Sequence, residues 1–107
     1  MNTLSTHVLD AVTGTPAVGV TVTLTDTAGG SMAAAQTDDD GRVKTLSDDL
    51  AAGRYRLHFD TGSYFATKNV DAFYPEVVIA FDVVGEDKHF HVPLLLSPFA
   101  YSTYRGS

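Results

Sequence analysis

Period-two alternation of apolar and polar residues recurs along this chain, and it favours a sheet over a helix. Residues 18–25, VGVTVTLT, are the clearest run: Val18, Val20, Val22 and Leu24 take one face, and Thr21, Thr23 and Thr25 the other. Residues 54–60, RYRLHFD, put Tyr55, Leu57 and Phe59 inward and Arg54, Arg56 and His58 outward. In residues 4–10, LSTHVLD, Leu4, Thr6 and Val8 oppose Ser5, His7 and Leu9. In HFHVPL, His89 and His91 point one way, while Phe90, Val92 and Leu94 point the other. β-Branched and aromatic residues fill these runs, as they do in strands. Many short strands with little helix predict an all-β antiparallel sandwich or barrel.

Turn signals separate the strands. Residues 10–16, 28–31 and 37–41 are rich in Gly, Pro, Asp and Thr. Residues 32–36 read as a short strand or a helical turn, and 42–46 as a short strand with Arg42 and Lys44 on one face. Residues 47–50 are expected to cap a helical turn that Gly53 ends. Residues 62–70 are the best helix candidate, docked by Tyr64 or Phe65. A strand is expected over 76–83, then a hairpin turn over 85–88. Ser97-Pro98 breaks the following run, and FAYSTYRGS is expected to pair back as a hairpin. Alternation there sets Ser102 and Tyr104 against Tyr101 and Thr103.

With 107 residues, no repeat and no linker, the chain reads as one domain over 1–107. It has no cysteine, so disulfides and thiolate zinc sites are excluded. A net charge of -6 argues against general binding to nucleic acid or anionic membranes. No apolar run is long enough to span a bilayer, and no signal peptide is visible, so a cytoplasmic location is expected.

Two imidazoles side by side on a strand have no packing rationale. His89 and His91, with Ser102 and Tyr104 from the next run, would stand on one surface. Taken alone, His7 on a sandwich edge is ordinarily structural, and Arg42 after a turn is ordinarily a solvated charge. His58, Arg54 and Arg56 read as solvent-facing. Asp38, Asp39 and Asp40 read as a solvated turn, because no bidentate glutamate follows at calcium-loop distance.

The strand LSTHVLD, the turn DDDGR, the strand HFHVPLLLSP and the terminal YSTYRGS together resemble the transthyretin-related family of 5-hydroxyisourate hydrolases, over residues 4–107. Tyr104-Arg105-Gly106-Ser107 matches the tetrapeptide that separates these hydrolases from the hormone carrier transthyretin. The resemblance implies a transthyretin-like eight-stranded antiparallel sandwich of two four-stranded sheets with one short helix. It implies hydrolysis of 5-hydroxyisourate to 2-oxo-4-hydroxy-4-carboxy-5-ureidoimidazoline in urate catabolism, without a cofactor. It carries the catalytic positions onto His7, Arg42 and His91, and the substrate-binding hydroxyls onto Ser102 and Tyr104. It also implies a homotetramer with its sites at the dimer–dimer interface.

Those residue types suit the chemistry. Opening a ring amide needs a base near neutral pH, donors for the developing oxyanion and a proton for the leaving nitrogen. Histidine titrates in that range, and arginine offers a charged planar fork. Two other readings stay open. His7, His89 and His91 could hold zinc, as a hydrolytic centre or adventitiously. Alternatively, the fold could serve as a small-ligand binding module.

Overall fold

Two β-sheets face each other across a shared apolar core. The structure, a computed structural model, describes residues 1–107. In chain order the elements are β1 (Asn2–Asp10), β2 (Thr15–Pro16), β3 (Thr21–Asp26), β4 (Ser31–Gln36), β5 (Arg42–Leu50), β6 (Gly53–Phe59), α1 (Thr61–Thr67), β7 (Val77–Val83), β8 (His89–Ser97) and β9 (Ala100–Thr103). One sheet runs β2-β1-β8-β9, with β5 also paired to β1, and the other runs β4-β3-β6-β7. β5 pairs with Asn2–His7 of β1 and β2 with Leu9–Asp10, so the two share one edge of β1. Each sheet is therefore four strands wide, with one short helix, as expected. One pairing, β1 with β8, runs parallel, and the rest are antiparallel.

The alternating residues supply the core. Leu4, Val8, Leu94 and Leu96 of one sheet face Val22, Leu24, Leu57 and Phe59 of the other, each at most 2% exposed. Burying a side chain of this size contributes about 1.5–3 kcal/mol relative to leaving it in water.

Four expectations need correction. Val18 is 48% exposed, because the chain turns at Gly19 (φ 80°) and the strand starts at Thr21. Residues 47–50 form no helical turn. They extend β5, with Leu50 opposite Asn2, and register shifts along the ladder absorb the polar Ser-Asp-Asp run. Residues 85–88 do not close a hairpin: β7 pairs with β6 in one sheet and β8 with β1 in the other, so this connection crosses between sheets. The helix spans Thr61–Thr67 rather than 62–70, since Asn69 (φ 56°) cannot continue it.

Two buried polar groups anchor the framework. The Asn2 amide donates to the carbonyls of Leu50 and Gly85, and its oxygen accepts from Lys88 N–H. That ties the sheet-crossing connection to β1 just before β8 begins. The Tyr64 hydroxyl of α1 donates to Asp10 Oδ2 at 2.9 Å, fastening the helix to the end of β1. Burial, and then Asp10, push the Tyr64 pKa up to about 12, so it stays a donor.

Candidate active site

β8 places its histidines by simple alternation. Phe90, Val92 and Leu94 are 5%, 8% and 1% exposed in the core, so His89 and His91 project from the outer face. The parallel ladder then decides their neighbours: Thr3 lies beside His89, Ser5 beside His91 and His7 beside Pro93. Ser5 Oγ lies 2.7 Å from His91 Nδ1 and 2.9 Å from His89 Nε2. Thr3 Oγ1 lies 2.6 Å from His89 Nδ1. The two rings stack with centroids 6.4 Å apart.

Arg42 comes from the other side of β1. Asp38 builds the turn that delivers it, its Oδ1 accepting from the backbone N–H groups of Asp40 and Arg42, each at 2.9 Å. The Arg42 N–H bond is the largest cause of a lowered Asp38 pKa. Asp38 is thus structural rather than merely solvated. Gly41 (φ 72°) packs so closely that a Cβ would overlap the Val8 carbonyl oxygen. β5 then starts with Arg42 directly opposite His7. The Arg42 guanidinium has no carboxylate partner in the chain.

The end of the chain closes the third side. Arg105 lies over the Phe90 ring, 5.0 Å from its centroid. Gly106 donates to the His91 carbonyl at 2.9 Å in an isolated bridge. The result is a groove of about 210 Å³ lined by Ser5, Thr6, Arg42, Lys44, His89, His91 and Ser107. No lining residue is apolar, and two are cations, in a chain of net charge -6. Burial lowers the His91 pKa, and the neighbouring Arg42, His89 and His7 charges lower it further. Both effects bias His91 toward its neutral form, and its Nε2 has no hydrogen-bond partner within the chain.

The sequence profile of the HIUase/Transthyretin family matches residues 4–106. The chain belongs to this family. It is 48% identical over 111 residues to a 5-hydroxyisourate hydrolase of Salmonella dublin, covering 99% of this chain and 82% of the relative. The structure of Klebsiella pneumoniae 5-hydroxyisourate hydrolase superposes with a TM-score of 0.92 at 45% identity, covering 100% of this chain and 94% of that one. Sea bream transthyretin in complex with thyroxine superposes with a TM-score of 0.89 at 34% identity, covering 96% and 93%.

Against this HIUase/transthyretin background, the expected site residues divide. His91 and Arg42 line the polar groove. His7 is not among the groove's lining residues; it lies on the same β1 face as Ser5 and opposite Arg42. Ser102 lies opposite Leu95, farther along the same sheet, outside the groove. Tyr104 has left β9 and lines a separate, more apolar pocket of about 340 Å³ with Ile79, Phe81 and Phe90. His91 lines both spaces. His7, His89 and His91 form no metal-binding cluster in this structure, and Ser5 and Thr3 engage three of the ring nitrogens of His89 and His91. Sequence reasoning missed Ser5, Lys44 and Ser107. Each had a signal: Ser5 shares a strand face with His7, Lys44 shares one with Arg42, and Ser107 belongs to the terminal tetrapeptide.

Proposed function

We propose that this groove opens the ring of 5-hydroxyisourate with His7, His91 and Arg42 as its catalytic groups. The activity is that of the chain's full-length relatives: it is a 5-hydroxyisourate hydrolase of urate degradation. The observation that carries the assignment of roles is His91, hydrogen-bonded to Ser5 through Nδ1, sharing an all-polar groove with an Arg42 that has no carboxylate partner. The substrate is planar and rich in oxygen. Arg42 anchors it through ring oxygens and offsets the charge that develops on the attacked carbonyl. His91 Nε2 takes a proton from the attacking water, and His7, opposite Arg42, serves proton transfer to the leaving nitrogen. Ser102 lies outside the groove and Tyr104 lines the apolar pocket on the other side of His91, so the substrate hydrogen bonds that the resemblance assigns to them would form only across the contact with another copy of the chain. No metal or other cofactor has a step in this scheme.

The carrier reading has less support. A groove whose lining residues are all polar, two of them cations and two imidazoles, does not suit a long apolar ligand. The assembly we propose is a homotetramer that covers Leu9, Leu95 and the 59% exposed Tyr104. Sedimentation at micromolar concentration tests it, and a monomer alone would sink it. For the activity, 5-hydroxyisourate is generated with urate oxidase and its ultraviolet absorbance is followed. Accelerated decay on adding the protein is expected, and an unchanged decay would refute the reading.

A further inference from the structure

Ser5 sits between two imidazoles. Its Oγ is 2.7 Å from His91 Nδ1 and 2.9 Å from His89 Nε2, while Thr3 Oγ1 is 2.6 Å from His89 Nδ1. These four side chains form one continuous chain of contacts along the parallel β1–β8 ladder. Ser5 is 7% exposed, so water has little room to replace its hydroxyl.

The donor and acceptor count restricts how the hydrogens are arranged. A hydroxyl has one hydrogen to give, and a neutral imidazole donates from one nitrogen and accepts at the other. Both rings cannot turn lone pairs toward Ser5, because one would go unmet. If His91 is to take a proton from water, its Nε2 must carry the lone pair. Its hydrogen is then on Nδ1 and goes to Ser5 Oγ. Ser5 gives its own hydrogen to His89 Nε2, and His89 Nδ1–H donates to Thr3 Oγ1. Every group then donates once in the same direction.

We propose that Ser5 is a positioning residue that holds His91 in the Nδ1–H tautomer with Nε2 free for the substrate, and that His89 and Thr3 orient the Ser5 hydroxyl. The proposal rests on the reading of His91 as a proton-transfer group. It gives His89 a role that its position on the strand face does not reveal: His89 is the acceptor that aligns Ser5. When Nε2 takes up a proton, Nδ1–H keeps its bond to Ser5, so the imidazolium gains without any rearrangement.

Nitrogen-15 NMR of histidine-labelled protein, at a pH where the rings are neutral, tests the arrangement without any substitution. Both His89 and His91 are expected as Nδ1–H tautomers. A His91 ring in the Nε2–H form, or rings of unlike tautomer, would overturn the proposal. In kinetics, Ser5→Ala should lower kcat by about tenfold or more with KM little changed. Ser5→Thr, which keeps the hydroxyl, should recover most of that loss. His91→Asn is measured alongside. Full activity in Ser5→Ala with an inactive His91→Asn overturns the role of Ser5 alone. Full activity in His91→Asn overturns the reading of the site, and the tautomer lock with it.

Discussion

Gly106 lies against the ring of His91, donating its N–H to the His91 carbonyl at 2.9 Å. A Cβ at this position would overlap Cδ2 of the imidazole and press on Pro93 Cγ at 3.2 Å. Ser5 holds the Nδ1 edge of the same ring. The imidazole is therefore held at Nδ1 and packed at Cδ2, and its Nε2 has no hydrogen-bond partner within the chain.

Gly106→Ala is expected to displace that ring while leaving the core untouched. A shift of about 1 Å at a reacting group can cost on the order of 10²-fold in rate. The measurement is kcat together with the thermal midpoint. Activity near normal would show that the close approach has no bearing on the site.

The lowered His91 pKa has a definite sign. Its acid limb in kcat/KM should fall below the ordinary histidine value of about 6.5. The unfolded chain protonates this ring at a higher pH than the folded chain does. Stability therefore declines as pH drops from the unfolded value through the lower folded one. Arg42→Gln removes one of the charges responsible and should move the His91 titration upward by NMR. An unmoved or lower titration would contradict the proximity of the two groups.

His7→Asn and His91→Asn each remove a group able to carry a proton near neutral pH and keep a polar side chain. Each should cost about 10²–10⁴-fold in rate. The double variant should lose far less than the product of the two, because residues acting as a unit fail together. Strict multiplication of the single losses would place the imidazoles in separate steps.

Tyr64→Phe tests the framework rather than the chemistry. It strips a hydrogen bond from Asp10, which is 3% exposed. A hydrogen bond to a charged group is worth about 1.5–3 kcal/mol. Denaturant unfolding should show a loss of that order, with kcat nearly unchanged. A variant as stable as the parent would mean that the Val12 and Thr13 backbone N–H groups, which donate to Asp10 Oδ1, suffice.

Much of the fold was legible because alternation reports burial directly. Tyr55, Leu57 and Phe59 lie where their period placed them, and so do His89 and His91. The errors fell where local signals compete with tertiary pairing. Ser47-Asp48-Asp49 looks like a helix cap, but Leu46 and Leu50 are drawn into the core and hold it as strand. Val18 fits the alternation of its run, but Gly19 turns the chain before that run can pair.

By itself the sequence determined which face each strand residue takes and which residue types are present for acid–base and anion-binding chemistry. It also carried the family motifs around His7, Arg42 and His91. Face, however, does not specify partner or direction. Only the tertiary structure ran β8 parallel to β1, which set Ser5 between the two imidazoles and Thr3 beside His89. It also carried the chain between sheets at residues 84–88, brought Lys44 and Ser107 into the groove and turned Tyr104 away from it. The physical reason is that side-chain period is a local property of a strand. Register and neighbour are fixed by long-range packing of the two sheets.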